Sequence, residues 1–516
     1  MPATFAKVFS AALKGVEALE VEIEANSSPG EEMKGIMIVG LPDAAVRESR
    51  DRVLTAIWNS GYRPPMGRLT VNLAPADVKK EGAGFDLPIA LGLIAVQDDA
   101  PPGIFEEYLI TGELALDGAV RAVRGVLPLA LEARARGRRA VLVPRENAVE
   151  ASVVDGIVVY GVASLAEAYR HLTGAFPLVP EPRRDLDALR QEHAHEIDFA
   201  DVKGQAGVKR ALEVAVAGGH NLLMVGPPGT GKSMLAKRVA TIMPPMSEEE
   251  AIEVTKIHSI AGLLSSRQSF LTIRPFRSPH HTISDAGLLG GTSAPLPGEV
   301  SLAHNGVLFL DELPEFRRST LEVMRQPLED GKVTISRAAA SITYPAQFLL
   351  VAAMNPCPCG YFGDPKRECR CTPKQLRAYR QRISGPLLDR IDIHIEVPAV
   401  EFRDLSRAHT GESSDAIRAR IEAARAVQAE RFAKEPHIRC NAAMSSRILK
   451  RHTTLDEASR DMLEHAMDHM NFSARAHDRI LKVARTLADL AGHSQISTDH
   501  LLEAVNFRTL DRNLWV

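Results

Sequence analysis

The sequence has few cysteines and no long apolar run. Five cysteines among 516 residues do not make a disulfide scaffold. No apolar stretch reaches the roughly 18 residues that a membrane-spanning helix needs. The N-terminal stretch shows neither the apolar core nor the cleavage site of a secretory signal. We therefore expect a cytoplasmic protein with no membrane partner.

An excess of charge of one sign is also absent. The chain has 62 Lys and Arg against 65 Asp and Glu, so its formal net charge is −3. Contact with nucleic acid would therefore have to come from local basic patches. A hydrophobic content of 45% is typical of a soluble globular protein, and the length predicts about three domains.

The pattern of apolar residues changes along the chain. Residues 1–176 alternate short strand-like and helical runs, and residues 177–197, rich in proline and charge, form a linker. Strands and helices alternate again over 198–400. From 401 to 516 the apolar residues follow a helical period. The sequence predicts an α/β protein with an N-terminal domain, a central α/β core and a helical C-terminal domain.

A glycine-rich turn lies near the middle of the chain, between an apolar strand and a helical pattern. Its sequence, GPPGTGKS, has the spacing of a phosphate-binding loop. Glycines let backbone N–H groups face phosphates, and the helix N-terminus adds a favourable dipole. We expect Lys232 to reach the β- and γ-phosphates of ATP and Ser233 to bind Mg²⁺. The predicted nucleotide-binding residues are Gly226, Pro227, Pro228, Gly229, Thr230, Gly231, Lys232 and Ser233.

Two further predicted strands end in polar residues that suit this chemistry. The strand in GVLFLDEL (306–313) ends at Asp311, which could orient the water shell of Mg²⁺, and at Glu312, which could polarise the attacking water. The strand in QFLLVAAMN (347–355) ends at Asn355, whose amide could position that water. The alternative is a turn asparagine at a strand end, before a proline.

Four cysteines cluster in a loop rich in Gly, Pro and Asp. They form two C-x-C pairs nine residues apart, and four thiolates suit tetrahedral Zn²⁺. The spacing within each pair is tighter than usual, so a redox switch or paired disulfides are alternatives. In a reducing compartment we favour a structural zinc in an insertion over 357–371. The predicted ligands are Cys357, Cys359, Cys369 and Cys371.

The stretch FRSPHHTISDAGLLGGTSAPLPGEVSLAHNGVLFLDELPEF (276–316), together with the phosphate loop, resembles the magnesium-chelatase-like branch of the AAA+ ATPases. Within that branch the whole chain is similar to the ComM/YifB family. The resemblance implies an AAA+ core over 198–400 and a helical lid over 401–516. It also implies a ring, usually a hexamer, with ATP held between subunits.

The same resemblance implies two arginines that act on the nucleotide. In GPLLDRID (385–392), Arg390 would be the arginine finger that reaches a neighbour's γ-phosphate, and the alternative is a salt bridge with Asp389 or Asp392. The lid arginine of the family would be Arg475, with Arg479 as its competitor.

Two basic stretches are candidates for DNA contact. Residues 329–345 predict two short strands around an Arg-Ala-Ala tip, and resemblance to ring helicases implies that Arg337 projects into a pore, with Lys332 near the base. Such residues would grip phosphates without sequence preference; the alternative is an ordinary surface hairpin. Residues 263–281 contain Arg267, Arg274, Arg277 and two histidines, and they suit either DNA contact or a solvated loop.

Residues 79–93 and 111–137 resemble the Lon-protease-type α+β domain, but the catalytic pair of that domain is missing. No serine lies between Gly82 and Asp86, and RGVLPL (124–129) has no lysine. We expect no peptidase activity from residues 1–176. A similar inactive domain occurs in RadA-type recombination helicases, which implies a role in ring assembly or DNA binding.

The family resemblance implies an ATP-driven hexameric DNA motor. It would bind branched or single-stranded DNA without sequence preference and drive branch migration in homologous recombination and natural transformation. Recombination proteins would be further partners. One alternative is a magnesium-chelatase ATPase subunit for metal insertion into porphyrin, although the chain has no D-x-S-x-S metal-adhesion motif. Another is an ATP-gated remodeller of DNA or protein that does not translocate.

Overall fold

The chain folds into two compact units. The computed structural model describes residues 5–28, 35–98, 100–101, 103–184, 188–190, 196–265, 268–291, 296–337, 340–364, 367–399, 411–435, 437–470 and 472–510. The first unit comprises Met1–His193 and Ser247–Thr272, and the second comprises Ala194–Met246 and Ile273–Val516. The sequence predicts one core over 198–400, whereas Ser247–Thr272 pack with the first unit.

The first unit is built of strands and helices that alternate along the chain. Its strands are β1 (Phe5–Lys14), β2 (Glu17–Ser28), β3 (Ile36–Val39), β4 (Arg68–Ala74), β5 (Tyr108–Ile110), β6 (Glu113–Leu114), β7 (Val120–Arg121), β8 (Ala140–Pro144) and β9 (Val158–Val162). Its helices include α1 (Ala44–Asn59), α2 (Asp86–Gln97), α3 (Val126–Ala135), α4 (Ala148–Ala151) and α5 (Leu165–Leu172).

Two sheets and a central helix organise the first unit. One sheet has the order β1-β2-β4-β3, in which β3 and β4 are parallel and the other pairs are antiparallel. The other sheet is parallel, with the order β5-β8-β9. Helix α2 is buried from Asp86 to Val96, because apolar residues surround its whole circumference. Its apolar side chains therefore form the core of this unit.

The second unit contains the remaining strands and most of the remaining helices. Its strands are β10 (Leu222–Val225), β11 (Phe276–Arg277), β12 (Val307–Leu310), β13 (Lys332–Arg337), β14 (Ala340–Pro345), β15 (Leu349–Met354) and β16 (Ile393–Glu396). The helices that follow α5 along the chain are α6 (Ala206–Gly218), α7 (Lys232–Ile242), α8 (Glu248–Ala261), α9 (Asp285–Leu289), α10 (Glu299–Leu302), α11 (Arg318–Val323), α12 (Arg325–Asp330), α13 (Pro373–Arg380), α14 (Gly385–Leu388), α15 (Ser414–Arg431), α16 (Ser446–His452), α17 (Glu457–Met470), α18 (Ala474–Leu490) and α19 (Thr498–Asn506).

A parallel sheet with the order β11-β12-β15-β10-β16 forms the centre of the second unit. Strands β10, β12 and β15 are buried along their whole length, as expected when helices cover both faces of a parallel sheet. After β16 the chain is helical in its described part, and Ile480, Val483 and Leu487 lie in the core, as their period predicts. The predicted α/β class with a helical C-terminal region is confirmed.

Helix α8 belongs to the first unit although α7, just before it, belongs to the second. It begins with a capping box, in which Ser247 and Glu250 each bond the other's backbone N–H group. Its Ser259 hydroxyl bonds the buried carboxylate of Glu150, and Lys256 Nζ lies 2.7 Å from Glu17 Oε1. The chain therefore leaves the second unit after the phosphate-loop helix and re-enters it before β11.

Candidate functional site

The phosphate loop connects the end of β10 to the start of α7, at the carboxyl edge of the parallel sheet. In open α/β sheets, ligands bind in the crevice outside this edge. Gly229 and Gly231 adopt φ values of +80° and +85°, which L side chains rarely adopt. A side chain at Gly226 would meet the carbonyl oxygen of Val397 at 2.3 Å. The glycines are therefore required by the shape of the loop and by its close packing.

Lys232 is folded over this loop and is almost fully buried. Its Nζ donates hydrogen bonds to the carbonyl oxygens of Gly226 (2.7 Å) and Pro227 (2.9 Å) and to Oδ1 of Asn355 (3.2 Å). Burial lowers the pKa of Lys232, and the carboxylates of Asp311 and Glu312 oppose that shift. The ammonium thus links the phosphate loop to the end of β15.

The predicted metal ligands lie against each other at the ends of two neighbouring elements. Ser233, in the first turn of α7, donates its hydroxyl proton to Oδ2 of Asp311 across 2.6 Å. Asp311 follows β12 directly, so the topology of the sheet brings its carboxylate to the phosphate loop. A hydroxyl and a carboxylate are hard oxygen ligands of the kind that Mg²⁺ prefers. The donor set therefore fits a magnesium ion beside the phosphate loop.

Glu312 has an unusual backbone and an unexpected neighbour. Its φ is +52°, in the left-handed region, and its N–H donates to Oδ1 of Asp311 at 2.9 Å. Its Oε2 lies 3.3 Å from Nδ1 of His281. The sequence pattern places His281 in a candidate stretch for DNA contact and does not predict its contact with Glu312. The available signal was its position shortly after β11, the strand beside β12.

Asn355 and the residues behind it connect the site to the cysteine loop. The Asn355 amide faces Lys232, and the phenol of the buried Tyr379 bonds the backbone of Asn355. Burial raises the pKa of Tyr379, so the phenol stays protonated at neutral pH. A side chain at Gly360 would meet Cδ of Pro228 at 2.6 Å. The cysteine loop therefore packs directly against the phosphate loop.

The four clustered cysteines are brought together as free thiols. Their sulfur atoms all lie within 4.8 Å of one another. In a tetrahedral site with Zn–S bonds of about 2.3 Å, sulfur atoms are about 3.8 Å apart. Sγ of Cys369 lies 3.7 Å from Sγ of both Cys357 and Cys359, and the latter two are 3.3 Å apart. Cys371 completes the set. The spacing fits a tetrahedral thiolate site.

A buried guanidinium beside the cluster fits the charge of such a site. Nε and Nη2 of Arg380 are buried and have no hydrogen-bond partner in the described part of the chain. Burial lowers the pKa of Arg380, and negative charge at Cys357 and Cys369 opposes that shift. A zinc ion with four thiolates has a net charge of −2, so an uncompensated guanidinium is favourable there.

Arg390 and Arg475 lie away from the phosphate loop of their own chain. Both line a cavity of about 680 Å³ bordered by α12, α18 and Gln347, and none of the described residues that line it comes from the phosphate loop. Arg390 contacts Glu329, so the predicted alternative partners Asp389 and Asp392 are wrong.

Asp389 and Asp392 instead pair with two arginines of α18. Asp389 lies 3.2 Å from Arg475, and Asp392 lies 3.6 Å from Arg479. The side chain of Arg475 is 67% exposed, whereas that of Arg479 is 16% exposed. The more accessible of the two candidates is therefore Arg475.

The two stretches predicted for DNA contact differ in the structure. Strands β13 and β14 pair in register from Lys332 opposite Pro345 to Arg337 opposite Ala340, so the predicted hairpin is confirmed. Lys332 is exposed at its base, while the side chain of Arg337 and the tip at 338–339 lie outside the described residues, as does Arg267.

The other two arginines of the earlier stretch are bound within the second unit. Arg274 donates to the backbone carbonyls of Pro244, Pro245 and Asn305. Arg277 makes two hydrogen bonds to Glu299, at 2.6 and 2.7 Å. These intrachain contacts account for both guanidinium groups, so the alternative that assigned them to DNA contact is not favoured.

In the first unit, the turn that differs from a Lon-type active site is held by a buried acid. Asp86 is fully buried, lies 2.6 Å from Nε of Arg52, and accepts the backbone N–H of Leu114 at 3.2 Å. Burial raises the pKa of Asp86 to about 6, against the opposing effect of Arg52. This carboxylate joins α1, α2 and β6, which is a structural role.

Comparison with known proteins identifies the family. The family described as Magnesium chelatase, subunit ChlI, matches residues 198–405, and its flanking families match 23–147 and 411–508. The uncharacterized protein YifB of Salmonella typhimurium is 44% identical over 512 residues, 99% of this chain and 98% of that protein. Competence protein ComM of Haemophilus influenzae is 43% identical over 516 residues, 99% of each chain. This chain belongs to the ComM/YifB family.

Membership in this magnesium-chelatase-like AAA+ family implies ATP, Mg²⁺ and ATPase activity. A shorter match, 27% identical over 179 residues, is to Lon protease 2 of Bacillus subtilis and supports the partial Lon likeness. Among the described residues, no helix has both the length and the apolar character needed to cross a membrane.

Proposed function

We propose that this ComM/YifB protein is the subunit of an ATP-driven hexameric ring that moves on DNA and migrates branched junctions during homologous recombination and natural transformation. One observation carries the proposal: Arg390 and Arg475 line a cavity apart from the phosphate loop of their own chain. Arginines placed there could act on a triphosphate held by a second copy rather than on one held by their own phosphate loop. The hydrolytic site is therefore complete only in an assembly.

Within one subunit, the phosphate-loop residues bind the nucleotide. Lys232 exchanges its carbonyl partners for oxygens of the β- and γ-phosphates. Ser233 and Asp311 would hold Mg²⁺, which would supply positive charge at the phosphate oxygens. Glu312 orients and polarises the attacking water, and Asn355 fixes that water against the γ-phosphate.

The neighbouring subunit supplies the remaining charge. Arg390 stabilises the negative charge that develops on the transferred phosphoryl group, a contribution worth about 10³–10⁵ in rate. Arg475, on the same cavity wall, binds the same triphosphate. Hydrolysis thus depends on contact between subunits, which is how a ring couples ATP turnover to movement.

The cysteine loop supplies structural support rather than chemistry. Cys357, Cys359, Cys369 and Cys371 hold one zinc ion, which fixes the loop whose Gly360 packs on Pro228. This support is the reason for a metal cluster so close to a nucleotide site.

The assignment of DNA as the partner is supported by the exposed hairpin and by the name of one relative. Arg337 and Lys332 would contact backbone phosphates, which gives affinity without sequence preference. The Haemophilus influenzae relative is called a competence protein. The expected substrate is therefore cytoplasmic DNA, branched or single-stranded, and recombination proteins are further partners.

The test is movement of a labelled four-way junction by the purified protein with ATP. We expect ATP-dependent strand exchange, and Lys232→Ala should lower both exchange and hydrolysis more than about 100-fold, because it removes the cation at the phosphates. Hydrolysis without strand movement would contradict the motor and support an ATP-gated remodeller. Magnesium insertion into a porphyrin would instead support the chelatase alternative.

A further inference from the structure

The arginine that must act on a neighbour is held inside its own chain. Nη1 of Arg390 donates to the carbonyl oxygen of Pro386 at 2.9 Å, and Nη2 forms an ion pair with Oε1 of Glu329. Nε is buried and has no hydrogen-bond partner in the described part of the chain. Only 13% of the Arg390 side chain is exposed, against 54% for Glu329. Glu329 is therefore the more exposed member of the pair.

The Glu329 carboxylate contacts Arg390 in a region where several other positive charges lie near the guanidinium. Burial lowers the pKa of Arg390, and so do the positive charges of Arg325, Arg479 and Arg475. The acids nearby have other partners, since Asp389 pairs with Arg475 and Asp392 with Arg479. Glu329 is thus the carboxylate in direct contact with the finger in this cationic cluster.

Glu329 also has a direct connection to the hairpin. It lies in the last turn of α12, and only Asp330 and Gly331 separate it from the first residue of β13. The carbonyl of Gly331 accepts the N–H of Ala346 at 2.8 Å, which closes the base of the hairpin. Glu329 is therefore separated from the base of the hairpin by only two residues, so a displaced hairpin would pull on the segment that carries it.

An arginine finger acts through its charge, because it neutralises the negative charge that develops on the γ-phosphate. A carboxylate in contact with the guanidinium cancels that charge and repels the phosphate. The pair formed with Glu329 is consequently an inactive arrangement of the finger.

We propose that Glu329 is a positioning residue that holds Arg390 in a neutral pair and releases it when DNA displaces the hairpin. This inference rests on the proposed function, since it adds a DNA-controlled step to the same hydrolytic site.

The test is the full-length variant Glu329→Gln, assayed for ATP hydrolysis with and without a four-way junction. We expect the rate without DNA to rise about three- to fivefold through kcat, with KM unchanged, and stimulation by DNA to fall by the same factor. Glu464→Gln is the matched control, because it makes the same substitution at an exposed glutamate of α17 that does not line this cavity. It should leave both rates unchanged.

The double variant Glu329→Gln, Arg390→Ala separates the outcomes. If Glu329 acts through Arg390, the glutamine adds nothing once the arginine is removed. An unchanged or lower rate without DNA in Glu329→Gln, while hydrolysis still requires Arg390, would overturn the inference and leave the proposed function intact. A wild-type protein that hydrolyses no ATP, or is indifferent to Arg390→Ala, would overturn the proposed function itself.

Discussion

The orientation of the candidate general base depends on a neighbouring strand as well as on its own. The backbone at Glu312, one residue after Asp311 at the end of β12, is left-handed. There His281 meets the carboxylate at 3.3 Å, with the His281 ring packed on His280 at a centroid distance of 4.1 Å. A general base must be held within hydrogen-bond reach of its water. His281 is therefore placed to set the direction of the Glu312 carboxylate.

Replacement of His281 by alanine should lower kcat for ATP hydrolysis about tenfold and leave KM unchanged, because the carboxylate loses its orienting partner while nucleotide contacts persist. Steady-state kinetics on the purified protein measures both constants. His280→Ala is the comparison, because it removes the ring packed on His281 but leaves His281 itself beside Glu312, so its effect should be smaller. Equal effects of the two substitutions would contradict a specific role for His281.

Residues near one another in sequence, or joined by the rules of parallel sheets, could be predicted. The phosphate loop is a local motif, and strands that end at one edge bring Asp311 and Asn355 to it. The partner of Arg390 could not be predicted, because Glu329 comes from a segment of the chain that carries no motif, and the contact of Glu312 with His281 depends on the order of strands in the sheet. The sequence suggests Asp389 and Asp392, which lie close to Arg390 along the chain, as partners of Arg390. In the structure they pair with Arg475 and Arg479 instead.

At the scale of elements, the position of a segment along the chain predicts its packing partner for the hairpin β13–β14 but not for helix α8. Helix α8 follows the phosphate-loop helix, yet it packs in the first unit through a buried bond to Glu150. Its apolar period predicts a helix but cannot say which core it joins. The hairpin β13–β14 was predictable because its strands are adjacent, and its alternating pattern buries Val333 and Ile335.

The cysteine loop is the element whose stability should control nucleotide binding at the phosphate loop beside it. Burial raises the pKa of the Cys357 thiol to about 12, while backbone N–H groups lower that of Cys359 to about 6. The cluster therefore contains one thiol that resists ionisation without metal and one that ionises readily. The loop also packs on Pro228 through Gly360. Loss of the proposed zinc should therefore disturb the phosphate loop.

Cys359→Ser should reduce bound zinc from about one ion per chain to a small fraction and weaken ATP binding about tenfold. Elemental analysis and nucleotide titration measure the two effects. Cys440→Ser provides the same substitution outside the cluster and should retain both zinc and affinity. A metal-free wild-type protein that binds ATP normally would contradict the supporting role of zinc.

At the scale of the whole molecule, the division of the proposed catalytic groups between two surfaces predicts how copies would cooperate in the proposed ring. Lys232, Ser233 and Asp311 form one surface, and Arg390 with Arg475 forms another. In a closed ring of heterologous contacts, each subunit presents both surfaces to different neighbours. A defect in one surface therefore leaves the other surface of the same chain intact.

Subunits with complementary defects should consequently restore activity to each other. Lys232→Ala and Arg390→Ala should each be nearly inactive alone, whereas a one-to-one mixture, reassembled with nucleotide, should regain about a quarter of the interfaces in working form. Hydrolysis measured across mixing ratios should peak near equal amounts. A mixture with Lys232→Ala, Arg390→Ala combined in one chain is the control, because such a chain supplies neither surface. A mixture of the single variants that stays inactive, although it forms rings of normal size, would contradict a site shared between subunits.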